Sequence, residues 1–215
     1  MAAFLILGMM TCAAQTRRDE EPLCDQQGAR VEITDDDGAI LGFAIGHASL
    51  KDVQAKLGSA RIERVSREEE SDVAICYVSP ADGTVLVFYS GAMGGWKDIT
   101  WFALWSGKAA FADASRCTPS AQVSQNLTTA SGLRLGLTQG QLNRIAGTPT
   151  NVSGSSAKYD YLCRRKMSQE EITRFKTANN WDVTTDPYFD RTSWIDVYFK
   201  DAAASRIEIG EIESY

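Results

Sequence analysis

The chain has 215 residues, 44% of them apolar and 23% charged, and a formal net charge of −6. That apolar share suits a globular protein with a real core and sets disorder aside. The acidic balance, with no basic stripe, argues against nucleic acid as a partner.

Residues 1–14 read as a signal peptide. The stretch from Ala2 to Ala14 carries no charge, centres on Phe4-Leu5-Ile6-Leu7 and runs into small residues before the polar Gln15-Thr16-Arg17-Arg18. It is too short for a bilayer, which needs roughly 20 apolar residues. Cleavage after Ala14 is the preferred reading, and lipidation of Cys12 in Met9-Met10-Thr11-Cys12 is the alternative. The expected location is periplasmic or secreted, with outer-membrane anchoring only if Cys12 carries lipid. Either way four cysteines remain, Cys24, Cys76, Cys117 and Cys163. An even number suits two disulfides in an oxidising compartment, with the three possible pairings left open. No metal is expected, because the cysteines are widely spread and His47 is the only histidine.

Residues 15–45 form a polar leader and an N-terminal hairpin whose turn is expected at Asp37-Gly38, between short apolar runs. The triplet Asp35-Asp36-Asp37 does not fit a calcium loop of the EF-hand type, since Ile33 and Ala44 would fall at its first and last ligand positions. A first module, residues 46–107, opens at Gly46 with a helix capped by Ser49 and Asp52. Leu50, Val53 and Leu57 share one face, and Gly58 ends the helix in a left-handed conformation. Strands are expected from Arg61 to Ser66, Asp72 to Ser79, Thr84 to Ser90 and Asp98 to Ser106. Pro80-Ala81-Asp82-Gly83 makes a tight turn, and Gly91-Ala92-Met93-Gly94-Gly95 a flexible hairpin tip.

Residues 108–132 form a connector that Cys117 staples to a module. A second module, residues 133–215, repeats the design from Gly136. Thr138 and Gln141 make the same capping box, and Gly147 closes the helix at the interval that separates Ser49 from Gly58. Strands near Asn151 to Ser153 and Lys158 to Arg165 follow, with Cys163 at a place comparable to Cys76. An inserted helix, residues 168–180, presents Ile172 and Phe175 on one face, and strands from Trp194 to Lys200 and Arg206 to Glu213 complete the module. Asp182, Asp186 and Asp190 are read as parts of a polar loop, and Arg164-Arg165-Lys166 as a solvated strand end. The fold class is α+β, two tandem modules, each a capped helix packed on an antiparallel β-meander.

The residues Gly46, Ser49, Val53, Leu57 and Gly58, and again Gly136, Thr138, Leu142, Ala146, Gly147 and Pro149, form a pattern that resembles two groups of exported proteins. One is the β-lactamase inhibitor protein family, which carries the unit in tandem. The other is the BamE/SmpA/OmlA type of outer-membrane assembly lipoprotein, which carries it once. The tandem resemblance implies paired sheets that offer a concave face to a protein partner.

No catalytic residue and no cofactor is nominated. His47 lies before a helix cap with no G-x-S-x-G elbow, and reads as a surface histidine. The aromatic residues are more informative. Around Phe102, alternate positions place Ile99, Trp101, Ala103 and Trp105 on one side of a strand, and Phe102 and Leu104 on the other. One side serves the helix; the other meets the second module or a partner. Tyr89, Trp96, Trp101 and Trp105 are the candidates for a protein-binding face. The expected function is therefore a non-catalytic protein-binding module, an inhibitor or immunity protein. Its rivals are an outer-membrane assembly or scaffold lipoprotein and an envelope hydrolase with a cryptic carboxylate site. Mass spectrometry of the mature N-terminus separates the first rival: the preferred reading predicts a chain starting at Gln15, and an acylated Cys12 would contradict it.

Overall fold

The computed structural model describes residues 22–24, 32–67, 70–107, 114–179 and 182–215. The signal peptide, Cys12 and most of the leader lie outside the described residues. The elements, in chain order, begin with a small hairpin, β1 (Ala39–Ile40) and β2 (Phe43–Ala44), followed by α1 (Leu50–Leu57). Next come β3 (Glu63–Arg67), β4 (Glu70–Val78), β5 (Val85–Ser90), β6 (Trp101–Trp105) and β7 (Thr118–Pro119). The second half holds α2 (Gln139–Ala146), β8 (Asn151–Ser153), β9 (Ser156–Lys166), α3 (Gln169–Asn179), β10 (Tyr188–Lys200) and β11 (Ala203–Ser214). The fold is α+β, as the residue pattern predicts.

Both helices start on the expected caps. Ser49 accepts from the Asp52 backbone N–H while the Ser49 N–H donates to the Asp52 carboxylate at 2.8 Å, and Thr138 and Gln141 repeat the reciprocal arrangement. The repeat extends to the backbone. Gly46 N–H donates to Ile99 O and Ile99 N–H to Ala48 O, as Gly136 N–H donates to Ala204 O and Ala204 N–H to Leu137 O, each at 2.8 Å. The helix ends differ from expectation in one detail. Gly58 and Gly147 have positive φ, 103° and 87°, but extended ψ, so each sends the chain off in an extended direction instead of curling as a left-handed cap.

The meanders of the two halves join into one sheet of order β3-β4-β5-β6-β11-β10-β9-β8, with β7 added in parallel beside β4. The joint is the antiparallel pair β6–β11, in register from Arg206 opposite Trp105 to Gly210 opposite Trp101. Gly210 is required there. A Cβ at that position would fall inside the indole of Trp194, which lies across it from β10. Both helices cover the same face of the sheet. Leu50, Val53 and Leu57 of α1 and Leu142 and Ala146 of α2 meet Phe88, Phe102, Leu104, Ile195, Ile207 and Ile209 in a single core.

Three local expectations change. The hairpin turns at Leu41-Gly42, where φ is 54° and 80°, and not at Asp37-Gly38. Two adjacent positive φ values suit a two-residue hairpin turn, whereas Asp37 is buried and its carboxylate accepts from the Thr34 N–H and hydroxyl at 2.8 and 2.7 Å, closing a separate turn. The glycine tip after β5 is an ordered 3₁₀ turn, Ala92–Gly94, whose following residues anchor α1: the Leu50 N–H donates to Lys97 O at 2.9 Å. Arg164 and Arg165 are not a solvated strand end. Arg164 is 7% exposed, pairs with Asp186 and with Asp190 and lies over the Tyr188 ring. Arg165 bridges Glu171 at 2.9 Å and Glu213 at 2.7 Å, clamping α3 to the sheet.

The cysteines pair as Cys24–Cys163 and Cys76–Cys117. The second bridge staples the connector to β4, as its position suggested. Cys76 and Cys163 do not occupy matching places, however: Cys76 stands on the helix-free face, beside Val87, while Cys163 shares the phase of Ala157 and Tyr159 on the helix side. Two disulfides fit a chain that works outside the cytoplasm. Closing a loop over a sequence separation of 41 residues stabilises by about 3–4 kcal/mol in the chain-entropy account. The double variant Cys76→Ser/Cys117→Ser should lose roughly that much in urea unfolding, and peptide mapping of the parent protein should find Cys24 linked to Cys163 and Cys76 to Cys117.

Candidate functional site

With the helices on one face, the opposite face decides what the protein can meet. Side chains line up across it in rows set by the strand register. One row runs Tyr89, Trp101, Gly210, Trp194; the next runs Val87, Ala103, Glu208, Asp196, Lys158. A third holds Val85, Trp105, Arg206 and Tyr198. Over the first half this face is closed: Val85, Val87, Tyr89, Trp101 and Ala103 are buried together with Cys117. Over β10 and β9 it opens to solvent, with Tyr198 39% and Leu162 44% exposed and Lys158 and Asp160 exposed beside them, while β11 between the two parts keeps Glu208 and Gly210 buried and Arg206 half-buried.

At the border between the closed and open parts stands a fixed stack. The Arg206 guanidinium lies 3.9 Å from the Trp105 ring centroid and 4.5 Å from that of Tyr198, a cation–π sandwich across three strands. Its Nε donates to Glu208 Oε1 at 2.8 Å, and Glu208 is only 2% exposed. The carboxylate holds the guanidinium, and the guanidinium holds both rings. Beside the stack, Lys158 pairs with Asp160 at 3.2 Å along β9.

Asp196 sits between these pairs, directly opposite Glu208 on β11 and Lys158 on β9. Its Oδ1 is buried with no hydrogen-bond partner. Burial pushes its carboxyl up to about 6; Glu208 and Asp160 add to the rise, while Lys158 and Arg206 oppose it. A cavity of about 160 Å³ opens here, lined by Asn151, Ser153, Ser156, Lys158, Asp196 and Tyr198 among others.

The structure separates the four aromatic candidates. Tyr89 and Trp101 stack with ring planes 5° apart and are buried, so neither stands free to greet a partner. Trp105 joins the open stack. Trp96, 53% exposed at φ 55°, belongs to the turn beside the start of α1, beyond the other end of β6. Ile99 also departs from expectation and joins the helix-side core, because the strand begins only at Trp101. His47 is exposed at the rim of a second cavity, about 300 Å³, with Glu32, Asp35, Arg191 and Glu211. There Arg191 binds Glu32 at 2.7 Å and Glu213 at 2.6 Å, and burial raises the Glu211 carboxyl. Among the described residues the only cluster with metal-ligand spacing is Cys24, Glu32 and Cys163, whose two cysteines are joined to each other.

Tyr198, Arg206, Glu208 and Asp196 were not singled out from sequence, although the signal was present. In Trp194-Ile195-Asp196-Val197-Tyr198 and Arg206-Ile207-Glu208-Ile209 the period of two sends the aliphatic residues to the core and the others to the opposite face.

The raised Asp196 carboxyl has a stability consequence. A carboxyl whose folded pKa lies above its unfolded value favours the fold at low pH, and that contribution disappears as pH rises from about 4 to about 6. Asp196→Asn should therefore match the parent near pH 4 and exceed it above pH 6.5, by about 1–3 kcal/mol. Urea titrations across that range check this, and a pH-independent difference would refute it.

No protein-family model matches the sequence, and neither does any curated protein. A solved structure from Streptococcus mutans, provisionally named a β-lactamase inhibitor protein, aligns over 93% of this chain and 94% of its own at 9% identity, with a TM-score of 0.24.

Proposed function

We propose that this chain is an exported, non-catalytic protein-binding module, and that the open sheet face of β10 and β9 is its contact surface. One observation carries the reading: the Trp105–Arg206–Tyr198 stack is fixed in place and presented beside solvent on a sheet. Tryptophan, arginine and tyrosine are the side chains that most often dominate binding energy at protein interfaces. Here they lose little freedom on binding, because Glu208 and the strand backbone already hold them. The sheet behind them is stiff, so the face behaves as a preformed surface. An inhibitor or immunity role is the specific version, taken from the residue pattern of the tandem repeat.

The envelope-hydrolase rival has one observation on its side, the 300 Å³ cavity that gathers Glu32, Asp35 and Glu211. Arg191 stands within ion-pairing distance of two of these acids, Glu32 at 2.7 Å and Glu211 at 3.7 Å, which makes a structural clamp the better account. Glu208 is not among the residues of the cavity that Asp196 lines.

The test is capture of a partner from an envelope extract with the mature protein, followed by affinity measurement on purified components. Trp105→Ala and Tyr198→Ala should each weaken binding about tenfold or more, which corresponds to roughly 1.4 kcal/mol. Trp96→Ala should leave the affinity unchanged. Unaltered affinity in both stack variants would overturn the assignment of this face.

A further inference from the structure

The charged side chains of the open face do not balance evenly. Lys158 and Asp160 satisfy each other, as do Arg206 and Glu208. Asp196 is left over, between the two pairs. Its cross-strand neighbour Lys158 could have served it, but that ammonium hydrogen-bonds Asp160 instead. The Oδ1 atom is buried without a donor, a condition that folded proteins largely avoid because it costs the full desolvation of the group. The cavity that Asp196 lines is open to the same face and is walled by the hydroxyl-bearing Ser153, Ser156 and Tyr198, by Asn151 and by Lys158, whose ammonium is already engaged by Asp160. It offers a carboxylate, hydroxyls and an amide to whatever enters.

Resting on the reading of this face as the contact surface, we propose that Asp196 is the receptor for one cationic side chain of the partner, a lysine or an arginine, which enters this cavity and pairs with the Asp196 carboxylate. A neutral donor would supply a hydrogen bond alone, whereas a cation adds charge compensation to the partial compensation from Lys158 and Arg206. Aromatic walls suit an alkyl stem beneath the charged head, and Tyr198 forms one side. The groups facing Asp196 are Lys158 and Asp160 from β9, Glu208 and Arg206 from β11, and Tyr198 on its own strand. Among them Asp196 is the group whose proton is displaced when the cation arrives. Because its carboxyl titrates near 6, entry of the cation releases a proton and is favoured as pH rises.

The test uses the mature protein and a neutral peptide carrying one arginine, with the citrulline peptide as an isosteric uncharged control, followed by NMR of the β9 and β10 amides and of the Asp196 carboxyl carbon. The arginine peptide should bind at least tenfold more tightly than the citrulline peptide at pH 8. It should lose about tenfold in affinity by pH 5, as expected when a carboxylate titrating near 6 is protonated, and should lower the midpoint of Asp196 itself. Asp196→Asn, which removes a buried charge and keeps the shape, should abolish the preference for arginine. Equal binding of the two peptides, or a preference that survives in Asp196→Asn, would overturn the proposal. Running the captured partner in parallel separates the two readings. Binding that depends on Trp105 but is indifferent to pH and to Asp196→Asn refutes the cation receptor while leaving the contact face standing. Binding indifferent to Trp105 and Tyr198 refutes the face itself.

Discussion

Everything particular to this molecule depends on the pairing of β6 with β11. Residues about a hundred positions apart meet there in antiparallel register, and the contact turns two meanders into one sheet and two helix-capped cores into one. The joint is also where space is most tightly specified. Trp101 and Trp194 approach Gly210 from either side, and no larger residue fits beneath the Trp194 ring. A long-range contact of this kind is entropically expensive to form and is rewarded only once the aliphatic rows behind it close. Leu104 opposite Ile207 and Phe102 opposite Ile209 supply those rows.

The joint also creates the candidate site. Trp105 comes from the first half, and Arg206, Glu208, Tyr198 and Asp196 from the second, so the stack exists only where the two sheets fuse. The far end of the molecule shows the contrasting use of charge. There Arg165 and Arg191 are saturated by Glu171, Glu213 and Glu32, and the Glu171 carboxyl is held down to about 2 chiefly by the Arg165 hydrogen bond. Those ions fix α3 and the N-terminal segment to the sheet. On the open face the pairing stops one group short, at Asp196.

How much of this was readable from residues alone follows the range of each interaction. Ser49 with Asp52 and Thr138 with Gln141 act over three positions, so the helices and the repeat were legible, as were the strands bounded by turn residues. The disulfide partners, the burial of Tyr89 and Trp101, and the pairing of Arg164 with Asp186 and Asp190 depend on the path of the chain through space. The hairpin misplacement has a local cause: Asp37-Gly38 carries the usual turn chemistry, but the Thr34 hydroxyl and N–H capture the Asp37 carboxylate, and the reversal moves to Leu41-Gly42. For the aromatic candidates the residue pattern left a binding face and an inter-module core both open, and the structure buries Tyr89 and Trp101. Trp101 and Trp105 lie on the same face of one strand, yet only the second reaches the open half.

The dependence of the whole on β6–β11 is measured most directly by native-state hydrogen exchange resolved to single amides. If the joint is the structural centre, the paired amides of Trp101–Trp105 and of β11 exchange only through global unfolding, with the same free energy as the amides of β5 and β10. Faster exchange at the joint than in the strands on either side, with the two halves opening at different free energies, would contradict the account.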